Sequence, residues 1–261
     1  MKVEGQCRLC RYQAELRDSH FIPKAAYRLV RGVGKNPHPF VNDGRKSLQT
    51  ASQWRANLLC DECEQRFSKK GEDAFFRYCY HGPGKFKLLQ VLREQNPMVE
   101  NERWAAYVVP ESENFLIGQI GYMGLSVLWK SAAHTWKNRG GGTIPSISLG
   151  SLYQEQLRQY LLDRAPFPTG CAMILEISDE NNRLIPLIAT PISRKYSTHH
   201  LHMIDLCGVQ FNLVVGSRMP SSLKNLDVFR QGQKRVLIAK QQEGIFVKTY
   251  RDHLKIMVDG H

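Results

Sequence analysis

Two cysteine pairs of equal internal spacing, Cys7-Arg8-Leu9-Cys10 and Cys60-Asp61-Glu62-Cys63, constrain this chain more than any other feature. Four thiolates in two CxxC knuckles can close a tetrahedral site around Zn²⁺. A set of four sulfurs leaves no open position, so such a zinc is structural. The 49 residues between Cys10 and Cys60 exceed the loop of a simple finger. The separation fits a treble clef, in which a hairpin carries one knuckle and the other opens a helix. Two unrelated reduced pairs are the alternative. Seven cysteines in all is an odd number, and Met1–Gln6 has no apolar run of the kind that opens a secretory signal. Metal binding in a reducing, cytoplasmic setting is therefore expected ahead of a disulfide framework.

The 261 residues suffice for a sizeable core and two domains, and the formal net charge of +12 favours a polyanionic partner. Residues 1–96 hold 18 Lys and Arg against 10 Asp and Glu; residues 97–261 hold 18 against 14. The cysteine-framed part is thus the more basic, and nucleic acid is the usual partner of such a balance. The most apolar stretch, Phe115 to Ala133, is broken by Gln119 and Lys130 and reads as a buried helix, with no membrane span expected.

The pattern along the chain is α+β. A hairpin over 1–15, a strand over 16–23 and a short helix over 24–31 come first. Residues 32–57, with Gly32, Gly34, Pro37, Pro39 and Asp43-Gly44, read as loop. Lys35, Arg45 and Lys46 in that loop are candidates for phosphate contacts, or else a solvated face. Helical periodicity from Cys63 runs to His81-Gly82-Pro83-Gly84, and a second run covers Lys85 to Arg93. Asn96-Pro97 marks a boundary, giving domains 1–96 and 97–261. The second begins with a strand from Trp104 to Val109 and a long helix from Phe115 to Lys137. Ser151 is placed as N-cap of a helix over Leu152 to Asp163. Strands follow over Cys171–Ile177, Leu184–Ile192, His200–Cys207, Gln210–Val215, Arg235–Ala239 and Ile245–Lys248, forming a mostly antiparallel sheet, with a turn at Asp179-Glu180-Asn181-Asn182.

Cys7 and Cys10, then His20-Phe21-Ile22-Pro23, then Leu58-Leu59-Cys60-Asp61-Glu62-Cys63-Glu64, resemble the HNH (ββα-metal) endonucleases. The likeness is closest to the subgroup built on a four-cysteine zinc treble clef, which includes phage Holliday-junction endonucleases and restriction enzymes of the McrA kind. It covers roughly residues 5–75. It implies hydrolysis of nucleic-acid phosphodiester bonds, DNA ahead of RNA, with His20 as general base. It also implies a second, exchangeable cation, Mg²⁺ or Mn²⁺, held by Glu64 and Asp18. Hard oxygen donors suit such ions.

The sequence departs from that pattern where Ser19 precedes the base. Asp18 and His20 share one strand face while Ser19 points away, unless a bulge presents Asp18 differently. Asn57 is the candidate for the usual upstream Asn, at short spacing. Glu72 is either a second ligand or a solvated carboxylate. His20 also reads as a packed histidine and Glu64 as a first-turn carboxylate. A rival reading is therefore a non-catalytic zinc module that binds nucleic acid or a partner protein. The C-terminal part carries no motif and is expected to select substrate or bind a partner. A role in bacterial anti-phage defence follows only by analogy. Cys79, Cys171 and Cys207 are expected to be buried, Trp129 and Trp136 to be core, and His199, His200 and His202 to lack a metal-ligand frame.

Overall fold

The computed structural model describes residues 2–30, 40–42, 47–49, 53–82, 84–137, 143–144, 146–179, 188–230 and 232–240. Lys35, Arg45, Lys46, Leu184 and Ile245–Lys248 lie outside the described residues.

The chain is α+β. Strands β1 (Val3–Gln6) and β2 (Gln13–His20) form the expected hairpin, and helix α1 (Lys24–Leu29) follows Pro23. Short strands β3 (Phe40–Asn42) and β4 (Ser47–Gln49) come next. Strand β5 (Arg55–Cys60) pairs antiparallel with β2 and completes a three-stranded sheet in the order β1-β2-β5. Residues 55–57 read as loop in the sequence; the partner strand decides the matter, as is usual for polar strand starts.

Helix α2 (Asp61–Phe67) begins directly after Cys60, two residues earlier than its apolar periodicity indicates. Asp61, Glu62 and Glu64 occupy its first turn, where the helix dipole favours negative charge. A π-helical turn, Ser68–Glu72, joins it to α3 (Asp73–Tyr78), and α4 (Lys87–Arg93) follows.

Beyond Asn96-Pro97 come β6 (Val99–Glu100), β7 (Trp104–Val108) and the long helix α5 (Asn114–Ala133). Helix α5 stops short of Lys137 because His134 is extended, with φ −155°. It is apolar nearly all round, as a helix covered on every side must be. One side meets β8 (Cys171–Ser178), β11 (His200–Leu206) and β12 (Val209–Val215). The other meets the π-turn, α3 and α6 (Ser151–Leu161). At Gly71 the fit against α5 is so close that a Cβ would lie 2.8 Å from the Met123 nitrogen.

Short strands β9 (Ile188–Ala189) and β10 (Ile192–Lys195), helix α7 (Ser221–Lys224) and strand β13 (Arg235–Ala239) complete the described elements. The large sheet runs β4-β3-β9-β11-β12-β8-β13-β7-β6, with β10 on β11. It is mixed but mostly antiparallel; only β13 on β8 and β3 on β9 are parallel. Strands from before Asn96, β3 and β4, thus extend the sheet built by the second part. One hydrophobic cluster holds residues from Cys7 to Ile238, including Phe67, Phe75, Trp129, Trp136 and Phe211. All seven cysteines are free, and Cys79, Cys171 and Cys207 are buried as expected. Among the described residues no helix is long and apolar enough to cross a membrane.

Candidate metal centre and the histidine strand

The turn after β1 and the junction of β5 with α2 bring the four cysteines together. Arg11 closes the first knuckle in the left-handed region, φ 68°, its N–H donating 2.9 Å to the Cys7 carbonyl. The Arg8 N–H donates 3.0 Å to the Leu58 carbonyl, which ties the knuckle to β5. The sulfurs of Cys7, Cys10, Cys60 and Cys63 all lie within 4.8 Å of one another. Cys10 and Cys60 sulfurs are 3.8 Å apart, about the edge of a tetrahedron with metal–sulfur bonds of ~2.3 Å. The Cys60 N–H also donates 3.3 Å to the Cys7 sulfur.

The four thiols compete for ionisation. A hydrogen bond from Cys63 holds Cys7 down to about 4, and burial pushes Cys60 up to about 11. A dication relieves that competition, because it lets every ligand be a thiolate. The donor set therefore fits a metal ion such as zinc.

A buried arginine braces the first knuckle. Arg158 on α6, 5% exposed, donates from Nη1 to the Leu9 carbonyl inside the first knuckle. Its Nε and Nη2 donate 2.9 and 2.7 Å to the two oxygens of Glu155, whose carboxyl this pairing holds down to about 2. Arg11 adds a second cation to Glu155. Arg66 on α2 and Lys70 in the π-turn both pair with Asp163 just beyond α6. Nothing local pointed to the distant Leu9; the only signal was Arg158 beside Leu157 and Leu161 on the buried side of the helix.

His20 ends β2 opposite Arg55, and Asp18 lies opposite Asn57, with a register shift between Leu16 and Asp18. Ser19 is 1% exposed and accepts the Leu59 N–H at 3.2 Å, so it faces the core. Asp18 points outward and pairs with Arg55. His20 is half-buried, and its ring is hydrogen-bonded by Gln53. Burial, helped by Arg55, holds the imidazole below its ordinary value, so the ring is neutral at pH 7.

Behind this strand sits a polar cluster. Lys130, 2% exposed, reaches from α5 to the His20 carbonyl at 2.9 Å and lies 5.9 Å from the Phe67 ring centroid. Burial lowers its pKa, opposed by the charges of Glu72 and Glu64. Burial raises the Glu72 carboxyl, opposed by Lys130. Glu64 keeps one oxygen, Oε1, buried with no hydrogen-bond partner. A lysine in the middle of an apolar run was the sequence signal for this cluster, since such a charge requires partners.

The cysteines are thus gathered, and Lys130 links the His20 main chain to the charges of Glu72 and Glu64. Asp18, His20 and Glu64 do not form a compact donor set: among the described residues the four cysteines are the one such group. No family model, no curated protein and no solved structure matches this chain.

Proposed function

We propose that the chain is a metal-dependent endonuclease of the HNH kind, with His20 as its general base and four cysteines holding a structural zinc. One observation carries the reading. Strand β5, paired antiparallel with β2, runs directly into α2, and a neutral, half-buried His20 stands at the end of β2. A strand pair followed by a helix beside four sulfurs is what a ββα-metal reading requires. A neutral imidazole is ready to accept a proton from water attacking a phosphodiester. Lys130 holds the main chain of His20, which fixes where the ring starts. In this reading Glu64, whose Oε1 is buried without a partner among the described residues, would hold the divalent cation, Mg²⁺ or Mn²⁺. Such a cation, when bound, stabilises charge on the phosphorane and on the leaving 3′ oxygen. The net charge of +12 suits a nucleic-acid substrate, DNA ahead of RNA, with residues 97–261 selecting substrate or partner. Anti-phage defence remains the analogy that the family suggests.

A plasmid and oligonucleotide cleavage assay with Mg²⁺, Mn²⁺ or EDTA tests this. Wild type is expected to cut with metal, and His20→Ala to lose cutting while keeping its zinc and its melting profile.

A second reading, a non-catalytic zinc module that binds nucleic acid or a partner protein, is favoured by Ser19 and Asp18. Ser19 faces the core in the usual ligand position, and Asp18 is engaged by Arg55. Salt-sensitive binding that His20→Ala leaves unchanged, with no cutting under any condition, would select it.

A further inference from the structure

A cavity of about 590 Å³ opens where the N-terminus of α6 meets the ends of β10, β11 and β12, away from His20 and the cysteines. The helix enters it through Gly150, at φ 72°, with no side chain capping its first turn. Ser151 is the first helical residue and not the N-cap expected from sequence, so the N–H groups of that turn are left for something else.

The second observation is independent. His202 lines the same cavity and is 1% exposed. Its Nδ1 is 2.7 Å from Ser193 Oγ, but its Nε2 is buried with no partner. A buried ring nitrogen left unpaired costs free energy unless a ligand completes it. The wall also carries Lys195 and several hydroxyls and, among the described residues, no Asp or Glu. At one side Tyr196 stacks on His199, ring centroids 4.8 Å apart and 16° from parallel, offering a flat aromatic plate.

An uncapped helix start, a lysine and hydroxyls form an anion site, and the volume lies within the range of small-ligand cavities. We propose that this cavity binds a free nucleoside monophosphate. Its phosphate sits on the α6 N-terminus beside Lys195, a polar atom of the ligand pairs with His202 Nε2, and its base lies against Tyr196. The inference stands apart from the nuclease reading, because it concerns binding alone.

Isothermal titration of the full chain with inorganic phosphate, AMP, adenosine and a 5′-phosphorylated oligonucleotide tests it. AMP is expected to saturate one site, phosphate to bind more weakly at the same site, and adenosine to show no saturable heat. Ser151→Asp puts a carboxylate at the helix start, where it favours the helix and repels an anion. It is expected to keep the melting temperature and weaken AMP by at least about tenfold, as is the exposed Lys195→Glu. His202→Gln should weaken AMP as well. No saturable AMP binding overturns the proposal, and so does adenosine matching AMP. Unchanged affinity in both Ser151→Asp and Lys195→Glu overturns the location. Tighter binding of the oligonucleotide than of AMP, lost in those variants, overturns the free nucleotide in favour of a nucleic-acid end.

Discussion

Lys130 donates a 2.9 Å hydrogen bond from Nζ to the main-chain carbonyl of His20, joining the central helix to the end of the strand proposed to carry the base. The ammonium is buried and compensated by Glu72 and Glu64. Replacing it by methionine keeps much of the stem and removes the charge. Breaking a buried charge group in this way costs about 3 kcal/mol or more. Glu72 is left without its nearest cation, so its carboxyl rises further, and the variant loses more stability at pH 8 than at pH 5. Urea unfolding at the two pH values checks this. An equal loss at both would show that Glu72 and Lys130 are not coupled.

Cys60→Ser removes one of four sulfurs and is expected to release the metal and lower the melting temperature. In a structural site, metal-binding free energy is folding free energy. Metal content by elemental analysis, read beside thermal melts with and without chelator, gives the answer. An unaltered melt after complete metal loss would remove the cysteines' structural role.

Arg158→Met leaves the Leu9 carbonyl buried without its donor, an effect of about 1–3 kcal/mol. Arg158→Lys should rescue little of it, because one ammonium cannot serve Leu9 and both oxygens of Glu155 together. Chelator competition should show weaker metal retention in both variants. Full rescue by lysine would make the site a simple charge contact.

Gly71→Ala places a methyl group 2.8 Å from the Met123 nitrogen and 2.9 Å from its Cα, both backbone atoms. The π-turn and α5 must separate, at about 1–3 kcal/mol. Thermal melts of the variant and wild type check this. A melting temperature equal to wild type would show that the helices yield freely.

Asp205 tests the sheet. Burial, with Glu176 nearby, pushes its carboxyl up to about 7, against ~3.9 in an unfolded chain. The native state then binds more protons than the unfolded state between those values, so stability falls as pH rises through that window. Asp205→Asn should raise the melting temperature at pH 8 more than at pH 5. A pH profile identical to wild type would rule Asp205 out as its source.

How much of this was legible in the sequence depends on the reach of each interaction. The CxxC pairs are local, and tetrahedral chemistry demands that they meet. Alternation along β2 placed Ser19 opposite in sense to Asp18 and His20, as observed. Strand β10 escaped notice because Ile192–Lys195 is largely exposed and pairs only with β11. Ser151 looked like an N-cap by residue type, but the helix starts at Ser151 itself and Gly150, at φ 72°, stands in the cap position. The partners of Lys130 and Arg158 lie 110 and 149 residues away, beyond any pattern of neighbouring residues.

That last separation bears on the order of assembly. A chain made from its N-terminus exposes all four cysteines once residue 63 has emerged, and the knuckles can gather metal early. The guanidinium that satisfies the Leu9 carbonyl follows about a hundred residues later, at the far end of a long loop closure. The cysteines can therefore meet well before the buried Leu9 carbonyl gains its donor. Until α6 docks, that carbonyl must take its hydrogen bond from water.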